Sequence, residues 1–364
     1  MTLGDRWFAW RNRVLANPGF QRWAATFPLT RPIAQRRAAA LFDLCAGFVY
    51  SQVLLACVRL RLFDALKDGP ISAETLPLPP DAASRLLEAA AALRLLERRG
   101  KNSFGPGVLG AALTGNPGIM AMIEHNSLFY ADLGDPVALL RGDRRDTGLG
   151  RLWPYAKGPR PAGLHEADVA AYTTLMSGSQ PIVAEDILAA CRLDRYRCLL
   201  DVGGGEGTFL IQAAATAPDL RLMLFDLPAV ANRAHSRFAD AGLTDRARTF
   251  GGDFRTDALP SGADIVSLVR VIHDHDDGQA LAIMSAAWQA LPPNGTLLLA
   301  EPMAGTPKAG GVEAYFALYL LAMGSGRPRR PAELTSMLHS AGFTRVRLLA
   351  TRRPMLVRVL LAVK

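Results

Sequence analysis

At 364 residues, half of them hydrophobic and a fifth charged, the chain is long enough for two domains and too ordinary in composition to be disordered or fibrous. Its four cysteines (Cys45, Cys57, Cys191, Cys198) are scattered without C-x-x-C spacing, which argues against a disulfide scaffold and against a zinc ribbon. The net charge of +8 is unevenly placed: residues 1–37 hold seven arginines against one acid, Asp5.

That N-terminal arm also carries Trp7, Phe8, Trp10, Phe20, Trp23 and Phe27. Arginine mixed with aromatic rings suits either a second subunit or an anionic membrane surface. The arm lacks the charged head and apolar run of a signal peptide. Residues 48–58 are apolar but short, closed by Arg59 and Arg61, so no membrane span is expected. A cytoplasmic protein follows, with peripheral contact at the inner membrane as an option for the arm.

Residues 38–66 show helical spacing, with Leu41, Leu44, Phe48 and Leu55 near one stripe. Short helices are predicted at 72–76 and 80–95, the second capped by Asp81, followed by a hairpin around 102–104. This is a winged-helix outline. Its would-be reading helix offers Arg85 and Arg94 against Asp81 and Glu88 and is otherwise mostly Ala and Leu, so no nucleic-acid partner is expected. Three segments result: 1–115, a helical arm with a winged helix; 116–184, a helical connector broken by Pro and Gly; and 185–364, where the ligand chemistry concentrates.

The run Leu199-Leu200-Asp201-Val202-Gly203-Gly204-Gly205-Glu206-Gly207-Thr208 takes an apolar strand into an acid and then a glycine turn, where a ligand can lie against bare backbone. Counted from Gly203, the dinucleotide spacing fails at Thr208, and no Lys follows to cradle a phosphate. What remains is D-x-G-x-G-x-G, the arrangement of S-adenosylmethionine sites. Asp201, Gly203, Gly205 and Gly207 are thus candidate cofactor residues.

A second strand, 220–225, ends in Asp226-Leu227-Pro228, and a carboxylate at a strand tip suits the hydroxyls of a ribose. Gly251-Gly252-Asp253-Phe254 sets an acid beside a ring, suited to hold and cover an adenine. The strand 265–271 contains Arg270, assigned with Leu227 to the cofactor side, and runs into His273; the strand 297–300 ends in Glu301. Ala- and Leu-rich helices separate these strands, which predicts an α/β fold with a parallel sheet and a ligand site beyond the strands' carboxyl ends. His273 and His275 alternate among three acids without a third ligand nearby, so no metal is expected.

With these motifs in this order, the chain resembles the S-adenosylmethionine-dependent O-methyltransferases related to plant caffeate and flavonoid enzymes. The family's D-V-G-G-G-x-G, D-L-P, G-G-D-x-F-like, H-D-W-x-D and L-P-x-G-G/N segments correspond here to 201–207, 226–228, 251–254, 273–277 and 291–295. The resemblance implies a Rossmann-like class I methyltransferase domain with an N-terminal winged-helix dimerisation domain, hence a homodimer. It also implies His273 as general base and Glu301 as the carboxylate that orients it. Two positions depart from the pattern: His275 replaces the tryptophan, and Pro331 stands where a second acid is usual, leaving Glu333 to match only the later Glu.

A narrower resemblance, carried by residues 21–34, 47–54 and 315–328, is to the hydroxycarotenoid O-methyltransferases of purple photosynthetic bacteria. It implies a tertiary hydroxyl on a long polyene of the demethylspheroidene type as the acceptor. Tyr315, Tyr319 and Met323 on one apolar helix, and His125, Phe129, Tyr172 and Met176 in the connector, become candidate pocket residues for this hydrophobic small molecule. Three alternatives stay open at this stage: a bacteriochlorophyll-type chlorin acceptor, a small phenol, and a non-catalytic cofactor-binding regulator.

Overall fold

The computed structural model describes residues 2–153, 166–307 and 309–364, and of residues 166–174 the backbone alone. It divides into two compact units, Met1–Gly115 and Asn116–Lys364.

The first unit opens with helices α1 (Leu3–Ala16), α2 (Pro18–Thr26) and α3 (Arg31–Arg59). A reciprocal cap starts α1: Thr2 Oγ1 accepts from the Asp5 N–H at 3.2 Å, and the Asp5 carboxylate accepts from the Thr2 N–H at 2.8 Å. Asn17 caps α2, with Pro18 in the first helical position. At 29 residues, α3 is long and apolar enough to cross a membrane by length and composition, which the short stretch at 48–58 did not suggest. Its C-terminal Leu55, Cys57 and Val58 are buried, whereas Leu41, Phe42, Leu44 and Phe48 are exposed. The helix therefore packs at one end and presents an apolar face at the other.

Next come α4 (Leu62–Ala65), α5 (Pro80–Ala92), the antiparallel hairpin of β1 (Leu96–Arg98) and β2 (Phe104–Pro106), and α6 (Val108–Leu113). Ala83, Leu87 and Ala90, spaced along one face of α5, are fully buried. Asp81 does not cap α5. Pro80 holds the first helical position, and Asp81 sits within the first turn, where its charge faces the positive end of the helix dipole. Residues 73–75 form only a 3-10 turn.

The second unit begins with α7 (Pro117–Asp132), α8 (Pro136–Arg141), α9 (Gly148–Leu152) and α10 (Glu166–Ala190). Its sheet comprises β3 (Cys198–Val202), β4 (Arg221–Asp226), β5 (Ala247–Gly251), β6 (Ile265–Val269), β7 (Thr296–Glu301), β8 (Arg345–Leu349) and β9 (Arg358–Val363), in the order 5-4-3-6-7-9-8. The first five run parallel. β9 pairs antiparallel with both β7 and β8, so one edge departs from the all-parallel expectation. The link between β8 and β9 is too short for a crossover helix and permits only a hairpin.

Alternate strand residues feed two cores. Leu199, Leu298 and Ala300 pack on one face with Ile187 of α10, Phe209 of α11 (Thr208–Thr216) and Ala234 of α12 (Pro228–Asp240). Leu200, Leu297 and Leu299 pack on the other with Ile283 of α13 (Asp277–Ala290) and Leu338 of α15 (Pro331–Ser340); α14 (Gly310–Met323) lies between α13 and α15 in the chain. Strand order reverses between β3 and β6, and at such a switch point the carboxyl ends of a doubly wound sheet leave a crevice.

Candidate active site

That crevice is a cleft open to solvent. Its floor is the turn after β3. Gly203 has a φ of +71°, and a Cβ there would lie 2.8 Å from a Val271 methyl group, so the turn needs glycine. Gly203, Gly205, Asp226, Leu227, Asp253, Phe254, Arg270 and Met176 all line the cleft. Asp226 is fixed by backbone: Oδ2 accepts from the Gly205 N–H at 2.8 Å and Oδ1 from the Leu227 N–H at 2.7 Å. Burial pushes Asp226 up to about 6, against the pull of those two N–H groups.

Two of the signature residues point elsewhere. Asp201 lies beneath the turn, buried, with Ser267 Oγ donating to it at 2.6 Å, and burial pushes it up to about 7. Gly207 starts α11 against the ring of Phe238. Neither lines the cleft. Asp253 does, but its carboxylate is held by Arg255 through bonds of 2.9–3.2 Å, which leaves it less free for an adenine than the sequence suggested.

Two further groups line the cleft: Glu206, which had no signal in the sequence, and His275, which the sequence marked only as a departure from the family motif. Glu206 lines the cleft and is paired with Arg233 and Arg237 of α12. His275 sets its ring edge-on to Phe254 at 5.4 Å and contacts Gln279 Oε1 at 3.1 Å. Burial pulls His275 down to about 4, so this replacement for the expected tryptophan is a neutral ring at neutral pH. The loop acid and the helix arginines look like solvated charges in the sequence, and only folding brings them together.

β6 stops at Val269, two residues early, because Arg270 takes a left-handed φ of 58°. Such a conformation costs a non-glycine residue about 1–3 kcal/mol and persists where its surroundings enforce it. Here the Arg270 N–H donates to Ala300 O at 2.8 Å, and the side chain reaches Ser179 Oγ at 2.9 Å and Met176 Sδ at 3.2 Å. The following 3-10 turn, Ile272–Asp274, presents His273. His273 Nδ1 meets Glu301 Oε2 at 2.5 Å, while Glu301 Oε1 accepts from the N–H groups of Val271 and Ile272 at 3.0 and 2.6 Å. Glu301 thereby fixes both the turn and the ring.

The second ring nitrogen, Nε2, lies 3.1 Å from Asp274 Oδ1. Asp274 lines the cleft; His273 does not. Burial disfavours charge on His273, but the carboxylates of Asp274 and Glu301 outweigh it and raise the imidazole above its usual value; burial pushes Asp274 up to about 6. A histidine titrating near its ordinary value is therefore replaced by one gripped between two acids. The position of the missing acid, Pro331, is only the first residue of α15, and Asp274 supplies the second carboxylate.

The remaining candidates gather behind the imidazole. His125 Nε2 meets the Tyr319 hydroxyl at 2.8 Å, and the Tyr315 hydroxyl donates to Asn126 Oδ1 at 2.8 Å. Phe129 stands edge-on to both tyrosines, and Phe316 stands edge-on to His273 at 5.8 Å. Met323 is buried in the same cluster. Burial lowers His125 and raises the Tyr319 phenol, so both are neutral. These five candidates form one packed cluster rather than a wall of the cleft, which Met176 alone reaches among the described pocket candidates. The side chain of Tyr172 lies outside the described residues.

The donor set fits S-adenosylmethionine: open backbone for an amino-acid head, a carboxylate at a strand tip for a ribose, and an apolar ring for a base. Comparison with known proteins adds the family. Residues 130–344 match the family model of the O-methyltransferase domain, and residues 42–114 that of the O-methyltransferase dimerisation domain. The chain is 40% identical over 358 residues to the demethylspheroidene O-methyltransferase of Cereibacter sphaeroides, covering 97% of this chain and 94% of that one. To the enzyme of the same name from Rhodobacter capsulatus it is 42% identical over 342 residues, covering 92% and 84%. The crystal structure of human N-acetylserotonin methyltransferase in complex with SAM shares the fold, with a TM-score of 0.74 at 23% identity over 90% of this chain and 97% of that one.

Proposed function

The chain belongs to the O-methyltransferase family and is an S-adenosylmethionine-dependent enzyme whose dimerisation domain makes it a homodimer; from that premise we propose that it methylates a hydroxyl of a hydroxycarotenoid of the demethylspheroidene type, with His273 as proton acceptor. The two purple-bacterial relatives support the acceptor class. The observation that carries the mechanism is the imidazole clamped between Glu301 and Asp274, directly behind the cleft wall that Asp274 lines.

The cofactor supplies an electrophilic methyl group on a sulfonium. Gly203 and Gly205 offer it bare backbone, Asp226 the ribose acceptor, Leu227 and Phe254 an apolar cover, and Arg270 and Asp253 the rest of the wall. An aliphatic hydroxyl is too weak an acid to ionise first, so His273 takes its proton at Nε2 as the new carbon–oxygen bond forms. Glu301 keeps the proton on Nδ1 and stabilises the imidazolium, while Asp274 shares the proton received at Nε2. The rest of the work is positioning of the acceptor oxygen.

On this reading residues 1–115 serve dimerisation, 116–184 help close the acceptor pocket, and 185–364 hold the cofactor. Met176 faces the acceptor from the cleft wall, and Phe129, Tyr315, Tyr319, Met323 and His125 form the packed cluster behind the imidazole. The enzyme is cytoplasmic, with the arginine-aromatic arm making a dimer contact, a peripheral membrane contact, or both. Removing residues 1–27 separates these: light scattering reads loss of the dimer, flotation with anionic vesicles reads loss of membrane attachment, and no change in either sinks the arm's role. The main test is methyl transfer from labelled S-adenosylmethionine to detergent-dispersed hydroxycarotenoid, with chlorins and phenols in parallel. Label in a carotenoid methyl ether supports the proposal; label only in a chlorin or phenol overturns the acceptor.

A further inference from the structure

The turn that presents His273 is short, and 3-10 hydrogen bonds are poorly aligned, so it cannot hold its own geometry. The N–H groups of Val271 and Ile272 are met by Glu301, and those of Asp274 and His275 by the turn itself; the carbonyls from Ile272 to His275 need partners too. All four find them in one segment. Arg329 donates to Ile272 O at 2.8 Å and to His275 O at 2.7 Å. The Arg327 N–H donates to His273 O at 3.0 Å, and Ser325 Oγ to Asp274 O at 2.7 Å. Gly326 lies between them with a φ of +80°, and a Cβ there would fall 2.1 Å from His273 O. The segment is a close-fitting strap over the turn.

Arg329 is its central residue. It is 2% exposed, which for a cation is costly unless every donor is used. Its Nε donates to Asp277 Oδ1 at 2.9 Å, and its own carbonyl accepts from the Ala304 N–H at 3.0 Å, three residues beyond Glu301. The guanidinium thus spans both ends of the turn, while the backbone of Arg329 is pinned to Ala304, in the segment that follows the Glu301 strand. The strap follows α14 directly, the helix that carries Tyr315, Phe316 and Tyr319. Acceptor-side helix and proton-accepting turn are consequently one hydrogen-bonded body.

We propose that Arg329 is a positioning residue for proton transfer: through the carbonyls of Ile272 and His275 it holds His273 and Asp274 in register, and through the strap it ties that register to the acceptor-side helix. The planar fork reaches the two carbonyls through separate nitrogens, Nη1 and Nη2, in fixed directions; a lysine offers a single nitrogen in their place. The idea rests on the methyl-transfer reading only for its kinetic arm, because the titration of His273 needs no acceptor.

The test compares Arg329→Lys and Ser325→Ala with wild type in the full-length dimer. It reads kcat and cofactor KM with hydroxycarotenoid, the thermal midpoint, and the His273 titration by NMR of labelled imidazole. Arg329→Lys, which keeps the charge, is expected to lower kcat by about 10²-fold through misplacement alone, with cofactor KM near wild type. The His273 titration moves down towards the ordinary imidazole value as its grip on the two carboxylates loosens. Ser325→Ala moves both readouts the same way by less, and decides the matter if the lysine variant does not fold. Loss of thermal stability with kcat and the His273 titration unchanged makes Arg329 a packing residue and overturns the proposal. So does a loss confined to cofactor KM. If wild type methylates no carotenoid, the acceptor assignment falls while the titration still judges the strap.

Discussion

On the cofactor wall, from Gly203 to Phe254, the ligand-facing groups are backbone amides and side chains at the tips of two adjacent strands, drawn from one stretch of about fifty residues. Asp226 is held by the N–H of Leu227 beside it and by that of Gly205, 21 residues earlier in the glycine turn that follows the adjacent strand. At the proton-accepting turn, from Arg270 to Asp277, the neighbouring Asp274 meets one ring nitrogen of His273, and the other partners are remote in sequence: Glu301 behind the ring, and Ser325, Arg327 and Arg329 on the carbonyls. The first region is a local motif placed on a rigid sheet. The second is assembled from three segments, so it is the more sensitive to changes far from the chemistry.

The hardest way to break this contrast is His273→Ala. Removing a positioned proton acceptor is expected to lower methyl transfer by about 10²–10⁴-fold with cofactor binding near wild type. Equal loss of cofactor affinity, by calorimetry, would place the turn on the cofactor wall. Two alanine substitutions then set the regions against each other. Gly326→Ala drives a methyl group into His273 O, and Gly203→Ala drives one into Val271. Overpacking of this kind costs about 1–3 kcal/mol. The first is expected to appear in kcat and the second in cofactor affinity; reversal of that split ends the comparison.

Smaller effects sharpen it. His273 is raised by its two carboxylates, so the rate at saturating cofactor should climb with pH through a midpoint above the usual imidazole value of about 6.5. Asp274→Asn removes one of those acids and should move the midpoint down; a midpoint that stays put removes Asp274 from the relay. The gentlest prediction concerns Asp201. Burial pushes it up to about 7, so the native state holds its proton more tightly than the unfolded chain does. Stability then falls as pH rises from about 4 towards 7. Asp201→Asn should flatten that fall in thermal melts across the same range, with less effect on cofactor affinity than Asp226→Ala. An unchanged pH slope would mean that Asp201 is not the group responsible.

The parallel strands, the glycine turn and the strand-tip placement of Asp226, Asp253 and Glu301 were legible because each depends on a few consecutive residues. Asp201 shows the limit of such reading: the pattern marks an acid before a glycine turn but not the way its side chain faces, and here it turns inward to Ser267. Glu206 with Arg233 and Arg237, and Asp253 with Arg255, are ordinary charges until the fold pairs them. The antiparallel edge strand also lay outside the pattern, since alternation of strand and helix says nothing about a closing hairpin.

By itself the sequence determined the parallel strands and the glycine turn, because hydrophobic periodicity and glycine's conformational freedom act over single turns and strands; it offered His273 as a candidate through the family resemblance. Only the tertiary structure decided what surrounds that histidine: Asp274 on one nitrogen, Glu301 on the other, and Arg329 over the carbonyls beneath it. Hydrogen bonds have a range of about 3 Å in space and none in sequence, so a site whose parts lie 28 and 57 residues apart exists only once the chain has folded.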